Sequence, residues 1–150
     1  MGSGCVITDP VRVLIINATL QFLVSSLLGV LLLVPMQSWG KGFTRHVASM
    51  ADLRGTHLDW LMLGLMQYGI AFGLHKMPLP CSGLIACLLV FGGWMNAFPY
   101  LVRGLFGINA FTLGGPPRQV ACALVGLVSI SSLIVAFSLL LLGWVANWPR

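Results

Sequence analysis

Four long apolar runs, each nearly free of charge, dominate this chain and leave it few alternatives to a bundle of membrane helices. Crossing the hydrocarbon core takes about 20 apolar residues per helix. The runs lie at about 13–34, 56–74, 82–101 and 120–144. Only 7% of the 150 residues are charged and 58% are apolar, with a mean hydropathy of +0.97. Soluble domains carry about 25% charged residues, and disordered chains carry little apolar surface. The expected fold is therefore an all-α integral membrane protein, a four-transmembrane-helix bundle in a single domain spanning 1–150. The first run is longer than a secretory h-region and lacks a small-x-small cleavage site after Pro35, so it reads as a mature helix.

Eight Lys and Arg face three acids, Asp9, Asp52 and Asp59, for a net charge of +5. The basic residues stand singly in the loops, so they read as topology signals and headgroup contacts, and nucleic acid is not an expected partner. With four spans, both termini share one side. Loops one and three then carry Lys41, Arg45, Arg54, Arg103 and Arg118, against Arg12, Lys76 and Arg150 on the other side. The positive-inside rule puts loops one and three in the cytoplasm; the expected location is a bacterial inner membrane, crossed several times. Between the first two spans, residues 36–55 are polar and have room for a short amphipathic helix on the membrane surface.

An ionisable group inside a span costs roughly 2.5–3.5 kcal/mol and needs a partner or a task. His57 and Asp59 open the second span, while Asn96, Tyr100 and Arg103 close the third. Four-span topology puts all five beneath one membrane face. At about 100° per residue, His57, Trp60, Leu61, Gly64 and Tyr68 share a face of the second helix, and Asp59 points about 160° away, toward Arg54, Arg103 or another subunit. Gly64 leaves space for a flat ligand or for another helix. Pro99 interrupts the third helix near its end. Asn17 and Gln21, on the first helix, lie toward the opposite face and read as packing residues; Gly69 and Gly73 form a GxxxG step of the same kind. Cys5, Cys81, Cys87 and Cys122 form no CxxC pair and read as small buried hydrophobes. No Ser-His-Asp set can be assembled.

The third-span segment Trp94-Met95-Asn96-Ala97-Phe98-Pro99-Tyr100, read as W-x-N-x-x-x-Y, and His57 followed by Leu63-Gly64 resemble the styrene oxide isomerases. The resemblance implies four helices, a homotrimer, and haem b held between neighbouring subunits by one axial His. It implies isomerisation of a hydrophobic epoxide to a carbonyl compound. Carried onto this chain, His57 is the axial iron ligand, and Trp60, Leu61 and Gly64 form the haem slot. Arg54, Arg103, Arg45 or Lys41 meet the propionates. Tyr100 and Asn96 are the catalytic residues, with Leu63, Gln67 and Tyr100 around the substrate. Leu63 departs from the family, which has an Asn before that Gly, reaching toward the epoxide. Ferric iron would act as Lewis acid on the epoxide oxygen, with a 1,2-hydride shift in a pocket closed to water. Two other classes are compatible with the sequence. One is a haem protein of the same fold serving electron transfer or sensing, for which His46 and His75 are further candidate ligands. The other is a small transporter or membrane subunit without haem, a class that usually buries a carboxylate in a span.

Overall fold

The computed structural model describes residues 9–40, 42 and 47–147. The described residues form five α-helices and one 3-10 turn, with no strand. Helix α1 is Pro10–Leu33, α2 is Met50–Lys76, α3 is Ser82–Met95, α4 is Phe98–Phe106 and α5 is Pro117–Ala146.

The helix ends follow local chemistry. Asp9 caps α1 by accepting from the Arg12 amide at 3.0 Å, and Pro10 occupies the first turn, where its missing N–H costs nothing. Pro35 sits in a single 3-10 turn, Val34–Met36, that closes α1. Ser49 caps α2 through the Asp52 amide at 3.3 Å. The expected kink at Pro99 is a full break: α3 stops at Met95, and α4 restarts at Phe98 with Pro99 in its first turn. Gly107, at φ +69°, supplies the left-handed C-cap of α4. Pro116 and Pro117 start α5.

Among the described residues, three segments are long and apolar enough to cross a membrane: Pro10–Met36, Ser82–Phe106 and Pro117–Ala146. Helix α2 is 27 residues long but less apolar, since it carries Asp52, Arg54, His57, Asp59, Gln67, His75 and Lys76 and buries Asp52, Thr56 and Gln67. It also begins earlier than expected, at Met50 rather than Thr56. The amides of Ala48 and Ser49 both donate to the Gly104 carbonyl, at 2.8 and 3.0 Å, which ties the start of α2 to α4. A Cβ on Gly104 would come within 2.7 Å of Leu53, so this crossing depends on glycine. Lys41, Arg45 and His46, within the stretch read as a surface helix, lie outside the described residues.

Helices α1 and α2 pack most extensively on each other, and α3 packs on α5. One apolar cluster joins Leu14 of α1, Ile70 and Leu74 of α2, Ile85 and Leu89 of α3, and Ala136 and Leu140 of α5. Next to it runs a buried amide network. Asn17 Nδ2 donates to Gln67 Oε1 at 2.7 Å, Gln67 Nε2 donates to Gln21 Oε1 at 3.0 Å, and Trp94 Nε1 donates to Asn17 Oδ1 at 2.8 Å. Where lipid is as apolar as leucine, such bonds and close glycine contacts hold helices together. Asn17 and Gln21 are thus packing residues as expected, but they face α2 and α3. Gly73 lies under Trp144, while among the described residues nothing comes within 4 Å of where a Cβ on Gly69 would stand. The outer surface is apolar, with Val30, Ile134 and Leu142 exposed. Cys87 is exposed on that surface too, and Cys81 and Cys122 are partly buried, so these cysteines are not core residues as expected.

Candidate functional site

Two features stand out, on opposite sides of α2. The first is His57, held against α1. Ser25 Oγ donates to the His57 backbone carbonyl at 2.7 Å, and His57 Nδ1 lies 2.8 Å from the Ser25 carbonyl oxygen. A carbonyl only accepts, so Nδ1 carries a proton, and the neutral ring in this tautomer presents its lone pair at Nε2. This is the arrangement that orients a metal-ligating His and raises its basicity. Nε2 has no hydrogen-bond partner among the described residues. Gly29, one turn beyond Ser25, makes room for the ring: a Cβ there would lie 2.9 Å from His57 Cε1. A Gly29→Val variant is therefore expected to displace the imidazole, and the NMR chemical shifts of the His57 ring protons are the measurement that reads this.

On the exposed face of α2 beside His57 stand Arg54, Leu58, Leu61 and Leu65, with Leu58 at 58% and Leu65 at 56% exposure. Trp60 and Gly64 do not join them. Trp60 is buried, its Nε1 donating to the Trp94 carbonyl at 3.3 Å and its ring set edge-on to Trp94. The space at Gly64 is filled by Phe22 and the Ala18 carbonyl of α1, each within 3.3 Å of where a Cβ would stand. Gly64 admits another helix, not a flat ligand, and the slot expected from Trp60, Leu61 and Gly64 is reduced to Leu61. Sequence spacing shows that a glycine opens a gap but not which neighbour fills it.

The second feature is a cleft of about 420 Å³ between α2, α4, α5 and the loop after α4. It is lined by Asp59, Asn96, Tyr100, Phe111, Leu127 and Ile130 among others. Asn96 Nδ2 donates to Asp59 Oδ2 at 3.3 Å. The Tyr100 ring lies over Gly55, which has no side chain to lift it, and 4.9 Å from the Phe111 ring. Its hydroxyl has no hydrogen-bond partner among the described residues, so it is available to a ligand.

Of the five residues expected to converge, Asp59, Asn96 and Tyr100 share this cleft, His57 faces α1, and Arg103 does neither. Arg103 Nε donates to Asp52 Oδ2 at 2.8 Å, its second nitrogen pairs with Oδ1, and the guanidinium stacks on Phe111 at 4.7 Å. Arg103 is thus spent inside the chain, which corrects its expected pairing with a propionate and leaves Asp59 without it. The Arg103 guanidinium also holds the Asp52 carboxyl below its ordinary 3.8. A carboxyl lowered by folding contributes stability above that ordinary value and loses it as pH falls through the lowered one. Asp52→Asn is therefore expected to reduce the unfolding midpoint in detergent at neutral pH, with the difference from wild type closing in strong acid.

Leu63 and Gln67 are not in the cleft. Gln67 is 2% exposed and its amide is fully engaged in the network with Asn17, Gln21 and the Leu89 carbonyl. Leu63 is 8% exposed on the buried side of α2. Leu63→Asn is accordingly expected to destabilise the bundle by about 1–3 kcal/mol, the cost of a buried amide without partners, and to leave the cleft's ligand preference unchanged. Thermal unfolding and ligand titration separate these effects.

Sequence reasoning overlooked Ser25, Gly29 and Phe111. For the first two a signal exists: Asn17, Gln21, Ser25 and Gly29 recur every fourth residue along α1. Phe111 lies in an irregular loop and carries no such signal. No group of three or more His, Cys, Asp or Glu side chains that could hold a metal ion occurs among the described residues. Comparison with protein-family models, curated proteins and solved structures finds no match to this chain.

Proposed function

We propose that this chain is a haem b-dependent membrane isomerase that converts a hydrophobic epoxide into a carbonyl compound, with α2 as a fourth span and a homotrimer as the working unit. The observation that carries the reading is His57, with Nδ1 fixed by the Ser25 carbonyl and Nε2 without a partner among the described residues. A single neutral imidazole suits an iron that keeps one coordination position for substrate. The neighbouring leucines, exposed Leu58 and Leu65 and half-buried Leu61, suit the face of a macrocycle, and Arg54 at the end of that stripe suits a propionate.

When bound, the haem supplies a Lewis-acidic iron that draws electron density from the epoxide oxygen. The chain's own residues do the rest. The Tyr100 hydroxyl donates a hydrogen bond to the oxygen of the opening ring, and Asn96 fixes the polar end of the cleft. As the C–O bond breaks, hydrogen moves with its electron pair to the electron-poor carbon, and the oxygen-bearing carbon becomes the carbonyl. Leu127, Ile130 and Phe111 exclude water, which would trap the cationic carbon as a diol. His57 and the cleft lie on opposite sides of α2, so the reading joins His57 of one copy to the cleft of its neighbour. The test is to incubate the purified protein with styrene oxide: phenylacetaldehyde as the product is expected, and no turnover, or diol alone, overturns the proposal.

A further inference from the structure

The isomerase reading leaves Asp59 without a task. Its carboxylate opens into the cleft, where Oδ2 accepts one long hydrogen bond from Asn96, and Oδ1 has no hydrogen-bond partner among the described residues. It is the one charged group among the residues that line the cleft. Arg103, one turn beyond Tyr100 on α4, is bidentate to Asp52, so the nearby guanidinium is already neutralised. A carboxylate among apolar helices is disfavoured unless a positive charge accompanies it, and among the described residues this chain supplies none to Asp59. Two aromatic rings, Tyr100 and Phe111, stand at the same cleft 4.9 Å apart; Arg103 already occupies one face of Phe111, which leaves Tyr100 as the ring that offers a face to an organic cation beside Asp59. The rest of the lining, including Leu127 and Ile130, is apolar, and the volume suits a molecule of one or two rings.

We propose that the cleft binds a hydrophobic organic cation, with an amine or quaternary ammonium head against Asp59 and an aromatic or alkyl body along Leu127 and Ile130. Asn96 is a positioning residue, holding the carboxylate toward the cleft. This inference rests on the cleft as a ligand site and not on haem at His57.

The test uses the purified full chain in uncharged detergent and two probes of the same shape: benzyltrimethylammonium and its uncharged carbon analogue, neopentylbenzene. Equilibrium dialysis measures both. Wild type is expected to bind the cation about tenfold more tightly than the analogue, as one charge-assisted contact implies. Asp59→Asn is expected to remove that preference while still binding the analogue. Equal affinities in wild type, a preference for the analogue, or an Asp59→Asn variant that binds the cation as wild type does would overturn the proposal. Should Asp59→Asn not fold, Leu127→Trp fills the cleft from a position more than half exposed to the outside; it is expected to weaken cation binding, and unchanged binding would overturn the proposal. A protein that lacks haem and still discriminates between the probes would sink the isomerase reading alone. One that holds haem and fails to discriminate would sink only this inference.

Discussion

His57→Ala is expected to reach the membrane in wild-type amounts and to purify without a Soret band. Among the described residues this is the one imidazole whose surroundings prepare it as an iron ligand: Ser25 holds Nδ1, Gly29 clears the space, and Nε2 has no partner. The fold does not depend on it. The Ser25 hydroxyl still has the residue 57 backbone carbonyl to donate to, at the 2.7 Å seen for His57, and α1 and α2 keep their contact through Gly64, Phe22 and Ala18. Loss of haem should therefore be nearly complete while the unfolding midpoint of the apoprotein changes little. Added imidazole is expected to restore part of the band, because it replaces only the missing ring. A variant that retains the full, unshifted band would remove His57 from the site.

Tyr100→Phe should lower turnover about ten- to a hundredfold while haem content stays at the wild-type level. The phenol reaches the cleft with its hydroxyl unengaged, and phenylalanine preserves the ring contacts to Gly55 and Phe111. Losing one hydrogen bond to an oxygen that gains charge costs about 1–3 kcal/mol of transition-state stabilisation. The readout is kcat beside the pyridine haemochrome content of the same preparation. Equal losses of both would make Tyr100 a packing residue.

Local chemistry made much of this architecture legible. Apolar runs announced the helices, and Pro35 and Pro99 marked where they end or break, whereas the Asn17-Gln21-Ser25-Gly29 stripe, which lies on the face of α1 that meets α2, went unread. What a helical wheel lacks is a partner. The wheel put Gly64 beside His57, but only packing decides that Phe22 fills the gap. The wheel likewise turned Asp59 away from His57, and only the placement of α4, α5 and Phe111 makes that direction a cleft. The pair Asp52–Arg103 links residues 51 positions apart, so no spacing rule foretold that Arg103 would be engaged. The apolar runs suggested four spans. The structure separates three strongly apolar segments from α2, whose polar residues are used in the amide network, the Arg103 pair and the cleft.

The proposal that this chain holds haem through one imidazole stands or falls on the absorption spectrum of the oxidised protein purified from membranes of cells supplied with haem. A Soret band with the features of five-coordinate, high-spin ferric haem b, at up to one haem per chain, is expected. A protein that purifies folded and without a Soret band, or one with the low-spin spectrum of two His ligands, would contradict it.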